Sequence, residues 1–301
     1  MKTRRLSKTD IAFILFCCAV PVINWLVMYI YGNGSSFVMA FMDTEGRFTV
    51  DNFVRLYKEF ISPTSMMREA LFNTFLTFFV GLIAFPFHLL VSYFIYKKVP
   101  GASTYRILFF LPRILFSVAT AMVVTRMLSM TGFIAEWVQQ IFGMEQIPAL
   151  LEDSRYANTT ILIHMLWMGF PGDLIIWGGT FARIPEEVLE SARIDGVNWW
   201  GEFTKIIVPL VWPTVGLQLV LSFCAIFSAT GEVFLLTGGE FGTMTLSCWM
   251  YKELLFGAAN PASSGTYNYL SAVGLIITVL AVTLSLVIRN WSDKVFDEVE
   301  Y

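Results

Sequence analysis

Six long apolar stretches, set apart by charged turns, leave this chain of 301 residues few ways to fold. A helix needs ~20 apolar residues to cross a hydrocarbon core. Inside that core each backbone amide must bond within its own segment or within a closed barrel. The stretches run 10–31, 70–96, 105–128, 158–181, 210–236 and 267–288. They predict an all-α polytopic membrane protein of about six transmembrane helices, with the lipid bilayer as its surroundings. Composition agrees, since 56% of residues are hydrophobic and 14% charged. That is too few charges for an ordinary soluble domain of this size. A formal net charge of −3 carries no nucleic-acid footprint.

Charge in the connecting segments sets the expected orientation. Lys2, Arg4, Arg5 and Lys8 precede the first stretch with no small-residue cleavage site after it. The positive-inside rule then places the N-terminus in the cytoplasm, with the Lys97-Lys98 turn and the C-terminus after Arg289 and Lys294 on the same side. Gly32 to Ser36 is expected to end the first span. An outer segment would follow, with Phe53, Leu56, Tyr57 and Phe60 on one face of an amphipathic helix. Arg47, Arg55, Lys58 and Arg68 lie there against the rule, interspersed with acids. Pro86, Pro112 and Pro171-Gly172 are expected to interrupt or kink three of the spans. Residues 132–156, broken at Gly143 and Pro148, read as an outer loop holding a short helix, and 237–264 as another outer segment. The resulting division is a basic leader 1–9, a first span with its outer segment 10–69, a five-span core 70–290 and a cytoplasmic tail 291–301.

Between the fourth and fifth stretches lies a polar unit, 183–209. Pro185 suits the first position of a helix, where its missing N–H is no loss. Glu186 and Glu187 complement the helix dipole in the first turn. Ile184, Val188 and Ala192 recur at helical spacing. Gly196 can end the helix in a left-handed conformation, and Asn198 can cap a second helix on which Phe203, Ile206 and Ile207 share a face. Pro209 and Pro213 are expected to close the unit. Such a pair is either a plain interfacial element or a surface for a soluble partner.

Glu190-Ser191-Ala192, three residues, Gly196, nine residues, Ile206, one residue, Val208-Pro209 resembles the signature of permease subunits of binding-protein-dependent ABC importers. The wider run from Ile184 to Gly196 is similar to the carbohydrate branch, related to the maltose permeases. Asn73-Thr74, Leu111-Pro112 and Thr237-Gly238-Gly239 extend the resemblance over most of the chain, the last resembling the first-permease type of a heterodimer. The resemblance implies a bacterial cytoplasmic-membrane protein and four kinds of partner. These are a second homologous permease, a cytoplasmic ABC ATPase dimer, an extracytoplasmic solute-binding protein and a carbohydrate substrate. It also implies that Glu190 to Gly196 docks in a cleft of the ATPase. Glu190 would be the acidic contact, flanked by Glu187, Ser191 and Asp195. Val188 and Ala192 would fill the cleft, and Gly196 would make the return.

No phosphate-binding loop, zinc motif or serine elbow is present, so neither a cofactor nor catalysis by this chain is expected. Ionisable groups inside a span are costly, which makes Arg113, Arg126, Asp173 and Glu232 functional candidates. Asp173, after the Pro-Gly pair, and Glu232 are placed on a candidate substrate path, with Trp177 and Phe227 as aromatic faces for sugar rings. Interhelical ion pairs and lipid-facing aromatics explain the same residues without a ligand. His88 and His164 have no carboxylate at helical spacing and read as packed neutral donors. Cys17, Cys18, Cys224 and Cys248 lack metal-ligand spacing and read mostly as small core residues. An ion-gradient transporter working through Asp173, Glu232 and the histidines is the competing reading. An ABC permease for a non-sugar solute is a third.

Overall fold

The computed structural model describes residues 7–142, 149–228, 231–258 and 265–295. The leader before Ser7, the expected breaks at Gly143 and Pro148, and the tail beyond Val295 lie outside them.

The first span is longer than expected. Helix α1 (Lys8–Asn24) passes through a π-helical stretch, Trp25–Tyr31, directly into α2 (Gly32–Ala40). Gly32 to Ser36 therefore does not break it. Asn33, Ser35 and Ser36 each donate a side-chain hydrogen bond to the carbonyl four residues back, so polar groups that favour turns in water brace the helix here. Helix α3 (Asp51–Ile61) is the amphipathic helix expected after the first span. Helix α4 (Met66–Tyr96) runs straight through Pro86. The third stretch is two helices, α5 (Ala102–Ile114) and α6 (Ser117–Leu128), separated by extended backbone at Leu115 and Phe116. The expected kink at Pro112 is thus a break three residues later. Pro112 has already removed one bond from the last turn of α5.

Helix α7 (Phe133–Phe142) is the short helix of the following loop, and α8 (Ala157–Phe181) is unbroken at Pro171. Helix α9 (Glu186–Ile194) precedes a one-turn α10 (Trp199–Glu202), which continues through a π-helical turn, Phe203–Ile207, into α11 (Val208–Cys224). The fifth span therefore starts at Trp199 rather than Leu210. Pro209 and Pro213 do not close the polar unit, because the wide π turn sits just where Pro209 cannot donate. The chain leaves the helix at Ala225 and resumes in α12 (Gly231–Leu236); α13 (Leu246–Ala258) and α14 (Thr266–Val295) follow. Residues 291–295, assigned above to the tail, belong to α14.

Among the described residues five helical stretches are long and apolar enough to cross a membrane: 13–40, 66–96, 157–181, 199–224 and 266–295. The split pair α5–α6 supplies the sixth crossing. Asn158 bonds Asn73 and His88 bonds Asp173, each pair 85 positions apart, so α4 and α8 run parallel. Parallel neighbours need one return crossing between them, and α5–α6 is the apolar stretch available for it.

The chain forms two compact units, Met1–Ser62 with Glu253–Thr278, and Pro63–Lys252 with Val279–Tyr301. In the smaller unit Asn52 Nδ2 donates to the carbonyls of Ala40 and Met42, both at 3.0 Å, and Phe53 packs on Phe41. Arg55 lies 4.0 Å over the Tyr269 ring and pairs with Glu59, which accepts from the Tyr269 hydroxyl. These contacts neutralise one of the basic residues that read against the positive-inside rule.

In the larger unit, one end of the α4–α8 pair holds the main apolar core: Leu89, Tyr93, Trp177, Phe181, Ile184, Leu189, Phe203, Ile207, Val211 and Val215. The other end is polar. Asn73 Nδ2 donates to the carbonyls of Gly242 (2.8 Å) and Met244 (2.9 Å), and Thr74 Oγ1 accepts from the Leu246 N–H. The loop they hold turns through positive φ at Gly238, Gly239, Phe241 and Gly242. Helices α11 and α14 meet closely, with Trp212 Nε1 donating to the Ser292 carbonyl at 3.0 Å. A β-carbon on Gly216 would fall 2.2 Å from Ser292 Oγ, so only glycine permits that approach. Of the cysteines, Cys248 is buried and the other three are exposed, so the core reading holds for one of them. Burial pushes the Cys248 thiol pKa upward.

Asn73→Leu strips the buried Met244 carbonyl of its amide donor and removes one of the two side-chain donors to the Gly242 carbonyl. An orphaned group costs roughly 1–3 kcal/mol, so the variant is expected to melt several degrees below wild type in detergent. Gln at the same position should lie between the two, and equal melting of all three would contradict the role of the amide.

Candidate functional site

Two features stand out in the larger unit: the surface of α9, and a set of polar side chains within the spans. Pro185 lies just ahead of α9 as its N-cap, with extended backbone (φ −59°, ψ 132°), and Glu186 and Glu187 open the first turn. The helix ends in a Schellman turn. Gly196, at φ 73°, donates to the Arg193 carbonyl at 3.1 Å, and Val197 donates to the Ala192 carbonyl at 3.0 Å. Asn198 Oδ1 then accepts from the Gly201 N–H at 2.7 Å and caps α10. The expected glycine stop and asparagine cap are both present.

The buried face of α9 differs from the expected one. Ile184, Leu189 and Ala192 are buried in the core, and Val188 is half-buried at its edge. Ala192 therefore packs against its own chain. Leu189, outside the apolar face of Ile184, Val188 and Ala192 that spacing gave, reaches the core, so the buried face is turned by about one residue around the helix. Outward lie Glu187, Glu190, Ser191, Asp195 and Gly196. The large apolar side chain on this outer face is Ile194, 85% exposed. The α9 surface is thus an acidic rim around one isoleucine, next to Trp199 and Trp200, which are half-exposed.

A buried ion pair holds this element to the spans. Glu202, 4% exposed, accepts from Lys97 Nζ at 2.6 Å, and Lys97 is the C-cap of α4, its ammonium 5.7 Å from the Tyr93 ring. Sequence reasoning took Lys97 only as a marker of sidedness and missed Glu202. The available signal was a lone acid amid Trp199, Trp200, Phe203, Ile206 and Ile207.

Two carboxylates, Asp173 in the fourth span and Glu232 on α12 beyond the fifth, each face a histidine from another helix. His88 Nδ1, on α4, lies 2.7 Å from Asp173 Oδ2 on α8. His164 Nδ1, on α8, lies 3.5 Å from Glu232 Oε2 on α12. That second approach is an ion-pair distance without a hydrogen bond. The histidines are buried, but not as isolated packed donors: their partners come from distant positions that helical spacing cannot reveal. Asp173 and Glu232 keep 26% and 30% of their side chains exposed. Trp177 belongs to neither pair. It is fully buried in the core, edge-on to Phe85. Phe227 is also buried, against Phe75. Among the described residues no cluster of His, Cys, Asp and Glu could hold a metal ion.

Apolar helices of this number and length define a multi-pass membrane protein rather than a single-span anchor. The family model described as "Binding-protein-dependent transport system inner membrane component" matches residues 61–298, and the chain belongs to that family. The maltose/maltodextrin transport system permease protein MalF of Vibrio parahaemolyticus is 29% identical over 218 residues, covering 70% of this chain and 40% of MalF. The chain thus spans less than half of that relative. The lactose transport system permease protein LacF of Rhizobium radiobacter is 25% identical over 281 residues, covering 91% of this chain and 88% of LacF. A chain in the crystal structure of a bacterial alginate ABC transporter, in complex with an alginate pentasaccharide-bound periplasmic protein, shares the fold. Its TM-score is 0.80 at 23% identity, over 99% of this chain and 100% of that one.

Lys97→Met leaves the enclosed Glu202 carboxylate unpaired and is expected to cost about 3 kcal/mol. Adding Glu202→Gln should recover part of that loss. A double-mutant cycle by thermal unfolding in detergent checks both, and strict additivity would show that the pair is not coupled.

Proposed function

We propose that the chain is one permease subunit of an ATP-driven carbohydrate importer. A second permease completes the translocation path, a cytoplasmic ATPase pair supplies energy, and an extracytoplasmic binding protein delivers the sugar. Family membership supports this reading, as do relatives named for maltose and lactose transport. The observation that carries it is the asymmetry of α9: one face locked into the core, the other offering Glu190, Ser191, Asp195 and Ile194 to an outside partner.

On this reading α9 lies on the cytoplasmic side and both termini with it. Ile194 enters a cleft on the ATPase, and Glu187 and Glu190 meet its cationic rim. Closure of the ATPase pair displaces α9. The Lys97–Glu202 pair and the shared core pass that displacement to α4, α8 and α11, which rock about a central site. ATP hydrolysis belongs to the partner. Asp173 and Glu232, each half-engaged by a histidine, face the substrate path; Trp177 and Phe227 support it from within the core. An ion-gradient mechanism through the same histidine–carboxylate pairs is disfavoured by the family match.

Glu190→Lys should leave the chain inserted but abolish ATP-driven uptake and binding-protein-stimulated ATP hydrolysis in proteoliposomes. Ile194→Asp should weaken attachment of the ATPase by about tenfold or more, as removal of a central interface anchor does. Unchanged stimulation in both variants would rule α9 out as the coupling element.

A further inference from the structure

The polar groups of the spans do not balance. Asp173 is engaged by His88, and Glu232 faces His164. Arg113, on α5, is exposed, and among the described residues it has no carboxylate within ion-pair distance. Its position is specific. A β-carbon added to Gly172 would lie 2.7 Å from Arg113 Nη1 and 3.4 Å from Cζ, so the guanidinium rests on the bare backbone of α8. Gly172 lies nine residues before Phe181, the end of α8. At 1.5 Å per residue that is about 14 Å from the helix end, near the middle of a ~30 Å hydrocarbon core. Arg113 also falls between the apolar pieces 102–111 and 117–128 of the split span. From mid-span, snorkelling to either surface is a long reach, and an uncompensated cation there is costly.

The surroundings suit a sugar. Phe109, one turn before Arg113 on α5, is half-buried and meets Phe170 edge-on at 4.5 Å, and Phe170 in turn packs against His88. A guanidinium against the α8 backbone, one turn from a half-buried aromatic ring, offers a charge-assisted carboxylate contact and a stacking face, and the nearby His88–Asp173 pair offers a hydroxyl acceptor.

We propose that Arg113 is a specificity-determining residue and that the substrate is an anionic, uronate-type saccharide, its carboxylate held by Arg113 midway across the membrane. The proposal rests on the carbohydrate-importer reading above. It is tested with the complete transporter in proteoliposomes, with its ATPase and binding protein. The probes are a panel of short oligouronates, the same oligomers after reduction of their carboxyl groups, and neutral gluco- and galacto-oligosaccharides. Wild type is expected to import at least one oligouronate and not its carboxyl-reduced form. Arg113→Gln should lower that uptake by about tenfold or more, the loss of a charge-assisted contact, while Arg113→Lys, which keeps the charge but not the fork, should fall between wild type and Arg113→Gln. Import of a neutral oligosaccharide, equal in wild type and Arg113→Gln, would overturn the proposal and leave the importer reading standing. So would loss of assembly with the second permease in Arg113→Gln, since the arginine would then be a counterion for that subunit. Failure to import any saccharide of either class would overturn both.

Discussion

Glu202 is a carboxylate enclosed in protein, and one lysine makes its enclosure tolerable. A charge so placed costs several kcal/mol unless its partner stays in register. Lys97 ends α4, and Glu202 lies at the junction between the α9 unit and the fifth span. Their contact therefore fixes the level at which the polar unit meets the spans. Around it, Tyr93, Phe181, Leu189, Phe203 and Ile207 exclude water, which strengthens the pair and makes any slippage expensive. The result is an element anchored to the helices beneath it by charge and by core packing.

The same economy runs through the spans. Several polar groups are met by a group on another helix, and others bond the carbonyl one turn back in their own helix. Asn73 meets Asn158, His88 meets Asp173, and Cys224 meets Ser285. The first two pairs align α4 with α8 in parallel and so dictate that the broken α5–α6 pair returns the chain between them. Arg113 departs from this pattern, and a departure of that kind in the middle of a membrane is where a ligand's charge is most useful.

Much of this architecture was legible beforehand, for physical reasons. The number of crossings follows from length and hydropathy, which the bilayer enforces strictly. Gly196 and Asn198 announced a helix stop and a new cap because local backbone needs select those residues. What escaped notice depended on distant positions. Gly32 to Ser36 looks like a turn in water, but serine and asparagine satisfy their own helix in a span. Val188 and Leu189 are equally apolar neighbours, and only the core beneath decides which turns inward. The histidines' partners, and the burial of Trp177, likewise lie in contacts that no local spacing encodes.

The account turns on α9 presenting its outer face to an energy-supplying subunit. The direct measurement is site-specific cross-linking from a cysteine at Ile194, in a chain whose Cys17, Cys18, Cys224 and Cys248 are replaced, within membranes holding the whole transporter. The account predicts a cross-link to the ATPase, and labelling by a membrane-impermeant thiol reagent only from the cytoplasmic side. Labelling from the opposite side, or a complex in which Ile194 reaches no ATPase residue in any nucleotide state, would contradict it.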